Sequence, residues 1–109
     1  MQRLPKQIAV AELGAASAAL YTAPANTKTT ISACSVTNKT GNARTVTLTV
    51  QAAGGTARNI AFGMGVGAGE TRVVHGAIGQ TLEAGGVLAG LADAAGALDI
   101  VVSAYETNP

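Results

Sequence analysis

The stretch Thr45-Val46-Thr47-Leu48-Thr49-Val50 alternates without a fault. Val46, Leu48 and Val50 point to one side and the three threonines to the other. This is the pattern of a half-buried strand with a β-branched polar face. The C-terminal stretch repeats it, with Leu98, Ile100, Val102 and Ala104 alternating with Asp99, Val101, Ser103 and Tyr105. Its second face is not purely polar, and Val101 and Tyr105 are expected there to meet a neighbour or to cover a sheet edge. Val46, Leu48, Val50, Leu98, Ile100 and Val102 are expected to face one shared core.

Working outward, Lys28–Asn38 reads as a strand with Ile31 and Ala33 on one side and Cys34 and Val36 on the other. That change of phase predicts a bulge near Ala33 and Cys34. Residues 38–42, rich in Asn and Gly, supply a hairpin turn. Residues 53–56 turn the chain into a strand over 58–62. Residues 63–69 carry glycine at every second position and read as a loop. Residues 70–75 read as another strand. Leu82, Val87, Leu88 and Leu91 form short extended pieces around Gly85 and Gly86, and residues 93–96 turn into the last strand. Towards the N-terminus, residues 7–13 and Ala18–Thr22 add one or two more. An Ala-rich helix over residues 10–20 competes there, and Gly14 weighs against it.

Seven or eight short strands at regular spacing give an all-β, single-domain antiparallel β-sandwich or jelly roll. Residues 1–17 read as an N-terminal arm and first strand, and residues 18–109 as the sandwich core. A length of 109 residues suits one such core and no second. The apolar share is mostly aliphatic, because only Tyr21, Phe62 and Tyr105 are aromatic. Fully burying a large aliphatic side chain yields ~1.5–3 kcal/mol, against ~1–2 kcal/mol to order each residue's backbone. Alanine and the 14 glycines add little on the favourable side. The core is therefore thin, and burial against other subunits is the natural supplement.

Seven basic and six acidic side chains are scattered without a block of either sign. A nucleic-acid partner needs clustered cations to displace counterions, so that class is excluded as an expectation. No run reaches the ~20 apolar residues of a membrane helix. The first twenty residues look only faintly like a leader, since Glu12 interrupts a short apolar run. One cysteine, Cys34, allows no intrachain disulfide.

The chemistry-bearing residues are few. His75 is the only histidine. A Ser-His-Asp arrangement would have to use it with Asp93 or Asp99, and no Gly-x-Ser-x-Gly motif supplies a nucleophile. One His, one Cys and dispersed carboxylates do not form a zinc or calcium site. Cys34 reads as a small buried thiol. Residues 63–69 match neither Gly-x-Gly-x-x-Gly nor the Gly-Lys-Ser/Thr ending of a phosphate loop. Asn38, Lys39 and Thr40 form a glycosylation sequon that coincides with turn chemistry. Glu70 and Glu83 are conceivable as paired acids for glycoside hydrolysis, but there is no tryptophan to form a sugar platform. The expectation is a non-enzymatic protein with no catalytic residue, cofactor or metal.

Two stretches in order, LYTAPANTKTTISACSVTN (residues 20–38) and TGNARTVTLTV (residues 40–50), resemble small β-sandwich virion proteins of tailed bacteriophages. In these, a Tyr-Thr-x-Pro element leads into a strand ending in Thr-Asn, then a glycine turn, then an alternating Thr/Val strand. LEAGGVL (residues 82–88) and VVSAYE (residues 101–106) fit the same layout, so the resemblance covers residues 18–106. Gly85 and Gly86 stand where that layout has Gly-Asp, which removes a polar group from the loop. The resemblance implies a β-sandwich or jelly roll and a place in the virion, assembled in the host cytoplasm. Capsid decoration or cement on the major capsid protein is the first expectation, with the chain a homo-oligomer in the assembly. A neck or tail component, or a module for a host glycan or receptor, is the alternative. Partner contacts are expected from the arm, at Arg3, Leu4, Pro5 and Lys6, because Pro5 suits an edge or an extended segment. The threonine face of Thr45, Thr47 and Thr49 is the other expected contact.

Overall fold

The computed structural model describes residues 2–108, with side chains from residue 5 to residue 107. Met1, at the head of the expected arm, lies outside the described residues, as do the side chains of Arg3 and Leu4. Nine strands run in chain order: β1 (Gln2–Glu12), β2 (Ala18–Thr22), β3 (Lys28–Asn38), β4 (Arg44–Gln51), β5 (Arg58–Val66), β6 (Thr71–Val73), β7 (Thr81–Leu82), β8 (Val87–Ala92) and β9 (Leu98–Asn108). No described residue is helical.

Two sheets form, all antiparallel. Sheet I has the order β1-β9-β3-β6, with β7 also on β3, and sheet II the order β2-β8-β4-β5. The pairs nest like a long hairpin: β4 with β5, β3 with β6 and β7, β2 with β8, and β1 with β9. Successive pairs of the hairpin fall in alternate sheets. That wrapping is the jelly roll.

The inward residues meet as the alternation requires. Val46 and Leu48 of β4 and Leu88 and Ala92 of β8 pack towards Ile31, Cys34 and Val36 of β3 and Leu98, Ile100 and Val102 of β9. Val50 packs against this cluster at its margin. Gly90 of β8 is buried too. A Cβ there would stand 2.6 Å from Leu48 Cδ2 and 3.3 Å from Leu13 Cδ2 and Leu20 Cδ1. Three leucines thus close over a glycine, and this lets a core without aromatics pack tightly.

The structure corrects the finer reading in five places. The β3 bulge falls between Ile31 and Ala33 rather than after Ala33. Ile31 therefore shares the buried face with Cys34 and Val36, and Ala33 is exposed. Residues 63–66 continue β5, because Gly63, at φ 60°, absorbs a register shift instead of ending the strand. The strand expected over 70–75 shrinks to β6. Val87, Leu88 and Leu91 belong to one strand, β8, which runs straight through Gly90. Finally, the segment considered as a helix is the end of β1, a bend and the start of β2.

Candidate interaction surface

The two expected contact sets lie on different sheets. Arg3, Leu4, Pro5 and Lys6 are in β1, paired in register with Thr107, Glu106, Tyr105 and Ala104 of β9. Lys6 Nζ stands 3.5 Å from Glu106 Oε2. The same carboxylate accepts a 2.5 Å hydrogen bond from the Tyr21 hydroxyl, which also lies 2.8 Å from Thr29 Oγ1. Burial, reinforced by the bond to Glu106, pushes the Tyr21 phenol up to about 12. This cluster ties β2 of sheet II to β1, β3 and β9 of sheet I.

Thr45, Thr47 and Thr49 lie on the outer face of sheet II, opposite Val46 and Leu48. Leu91 is the register partner of Thr47, Ala89 that of Thr49, and Ala19 that of Ala89. Thr47 Oγ1 accepts a bond from the Gly63 backbone N–H at 3.1 Å. Beside it Phe62, on edge strand β5, is 79% exposed. The three threonines and their β8 partners Leu91 and Ala89 bring no charge to this face.

The outer face of sheet I is ordered in cross-strand rows. One row carries Glu12, Asp99, Thr37 and Thr71, and Lys39 Nζ bonds both carboxylates. The next carries Val10, Val101, Ser35 and Val73, and its three valines are all exposed. Gln7, Ser103 and Ala33 follow, then Pro5, Tyr105, Thr30 and Thr81, then Arg3, Thr107 and Lys28. Val101 and Tyr105 sit mid-face, since β9 lies between β1 and β3, so they cover no edge. The apolar row escapes a reading of the sequence because its members come from four strands far apart in the chain.

The chemistry-bearing residues stay apart. His75 is exposed in the turn after β6. Asp99 is held by Lys39 at 3.1 Å, and Asp93 lies 4.0 Å from Arg44. Burial pushes the Cys34 thiol up to about 11, which keeps it protonated and a poor nucleophile at neutral pH. The Glu70 carbonyl accepts from the Asn38 N–H, and Glu83 pairs with Lys28. The two acids thus mark opposite ends of β3, which at ~3.3 Å per residue are about 30 Å apart. Paired glycosidase carboxylates stand within about 10 Å. Asn38 is buried, and its side-chain nitrogen donates to the carbonyls of Asn42 and Val66. The sequon nitrogen is consumed by the fold.

Two shallow depressions meet at Glu83, one of about 140 Å³ beside Gln51 and Leu82 and one of about 320 Å³ beside Asn26 and Lys28. Among the described residues no three His, Cys, Asp or Glu side chains stand together as metal ligands. No protein-family model matches the chain, and neither a curated protein nor a solved structure matches it.

Proposed function

We propose that the chain is a non-enzymatic structural component of a bacteriophage particle, a decoration or cement protein that stabilises the head by binding the major capsid protein. The observation that carries this reading is the pair of outer sheet faces, whose middles are uncharged and bear exposed apolar groups such as Val10 at 63% and Phe62 at 79%. Such faces suit broad contact with protein neighbours better than a small-molecule pocket. The resemblance of residues 18–106 adds the virion to that picture. A glycan or receptor module is disfavoured by the aromatics. Tyr21 is engaged between the sheets, Phe62 is on β5 of sheet II, and Tyr105 is on the outer face of sheet I.

The test is a cryo-EM map of the particle encoded with this chain, together with the thermal stability of particles lacking it. The chain is expected in many copies on the shell, and depleted heads should release DNA at lower temperature. Absence from every particle would overturn the virion reading. Presence only at the neck or tail would overturn the decoration role and favour the alternative position.

A further inference from the structure

We propose that the outer face of sheet I is a self-complementary interface that binds a second copy of this chain about a two-fold axis. The axis runs across the strands through the row of Gln7, Ser103 and Ala33. The inference stands independently of the virion reading.

The argument starts from the five rows. The central row is neutral. A rotation of 180° about an axis along it lays each strand over its own copy and exchanges the two ends of the sheet. An isologous contact needs each row to fit the row it meets. The row of Val10, Val101, Ser35 and Val73 meets the row of Pro5, Tyr105, Thr30 and Thr81. Val10 then faces Pro5, Val101 faces Tyr105, and Ser35 faces Thr30. At the ends, the row of Glu12 and Asp99, two carboxylates against the single ammonium of Lys39, meets the row holding Arg3 and Lys28. By sequence that row carries two basic residues, Arg3 and Lys28, and Lys28 Nζ stands 3.7 Å from Glu83 Oε1. Opposite net charges therefore meet at both ends. The other two-fold in the sheet plane, along the strands, would set each end on its own sign and is disfavoured.

The size fits as well. Ten residues at ~3.3 Å by four strands at ~4.8 Å give roughly 600 Å² per copy. The resulting total of about 1,200 Å² reaches the lower bound of stable protein interfaces. Two twisted sheets packing in this way settle with strands about 30° apart. The exposed valines and Tyr105 then gain the burial that the monomer denies them.

The experiment is sedimentation velocity on the full chain over a concentration series, at low and high salt. The wild type is expected to dimerise, more weakly as salt rises. Val101→Glu buries a carboxylate against Tyr105 of the second copy, with no cation across from it, and should weaken the dimer by about a hundredfold or more. Thr47→Glu on the outer face of sheet II should leave it unchanged. Glu12→Arg should weaken the dimer, and adding Arg3→Glu to it should restore association. Far-UV circular dichroism checks each variant for folding, and Val10→Glu replaces Val101→Glu if the latter unfolds. A wild type that stays monomeric near millimolar concentration overturns the proposal. So does a dimer that survives both valine substitutions, or one that Thr47→Glu dissolves.

Discussion

Asn38 concentrates more hydrogen bonding than any other buried side chain in the described residues. Besides its two donated bonds, its Oδ1 accepts from the Thr40 backbone N–H at 2.9 Å and from Thr40 Oγ1 at 2.7 Å. It thereby fixes the β3–β4 turn and the end of β5 at once. Asn38→Ala would strand buried groups without partners, and a loss of about 2–4 kcal/mol is expected in denaturant unfolding. A loss below ~1 kcal/mol would mean that water replaces these bonds. Tyr21 and Cys34 set the alkaline limit. The folded pKa values, about 12 and about 11, lie above the ordinary 10 and 9. The fold therefore favours the protonated forms, and their contribution is complete below pH 9. It drains as pH rises from 9 towards 12. Lys39, raised by Glu12 and Asp99, acts in the same direction. The melting temperature should stay level from pH 7 to 9 and then fall, with a shallower fall in Tyr21→Phe. An equal slope in that variant would remove Tyr21 from the account.

At the scale of elements, legibility in the sequence followed side-chain volume. β4 and β9 could be read because their inward positions hold Val, Leu and Ile without interruption. β5 was cut short at Gly63, since glycine at every second position looks like loop to any pattern argument. Its strand character comes instead from pairing with β4, with Arg44, Thr45 and Val46 opposite Val66, Gly65 and Met64. β8 fragmented at Gly90 for the opposite reason, because the residue is small to admit three leucines. The β3 bulge was misplaced because Ser32 and Ala33 are both small, and only the folded sheet leaves the two of them exposed side by side. The outward threonines were legible, but the apolar row on sheet I was not, since it exists only after four strands are aligned. Gly63→Ala should cost about 1 kcal/mol through its positive φ. Gly90→Val should cost more, about 1–3 kcal/mol, by forcing Leu48 off its rotamer. Thermal unfolding that ranked the two in reverse would show that β5, not the leucine cluster, limits stability. Deleting residues 1–6 would remove the ladder from Gln2 to Lys6 and leave β9 with an open edge. The shortened protein is expected to melt lower and to self-associate through that edge, visible by light scattering.

The whole molecule is a chain folded double, so distance along the sequence grows outward from the β4–β5 hairpin to the β1–β9 pair. β4 and β5 are joined by a short turn, whereas Glu12 and its partner Asp99 are separated by nearly the whole chain. Closing a longer loop costs only about 0.6 kcal/mol per doubling, but that cost is met before any of the contacts it permits. Pairing should therefore proceed from the inside of the hairpin outward, with β1 docking last. Leu48 of β4 and Leu13, just after β1, test this, because both are fully buried and touch the same space above Gly90. Each Leu→Ala change should destabilise by about 2–5 kcal/mol. Leu48→Ala should act mainly by slowing refolding, and Leu13→Ala mainly by speeding unfolding. Stopped-flow refolding and unfolding in denaturant separate the two. If Leu13→Ala slows refolding as much as Leu48→Ala does, the chain ends meet early and the inside-out order is wrong. Under the expected result, the strand that closes sheet I is also the first to leave. The outer face holding Val10, Val101 and Val73 would then be complete only in the fully folded state, and a second copy that binds it would slow unfolding of β1 in proportion to its concentration.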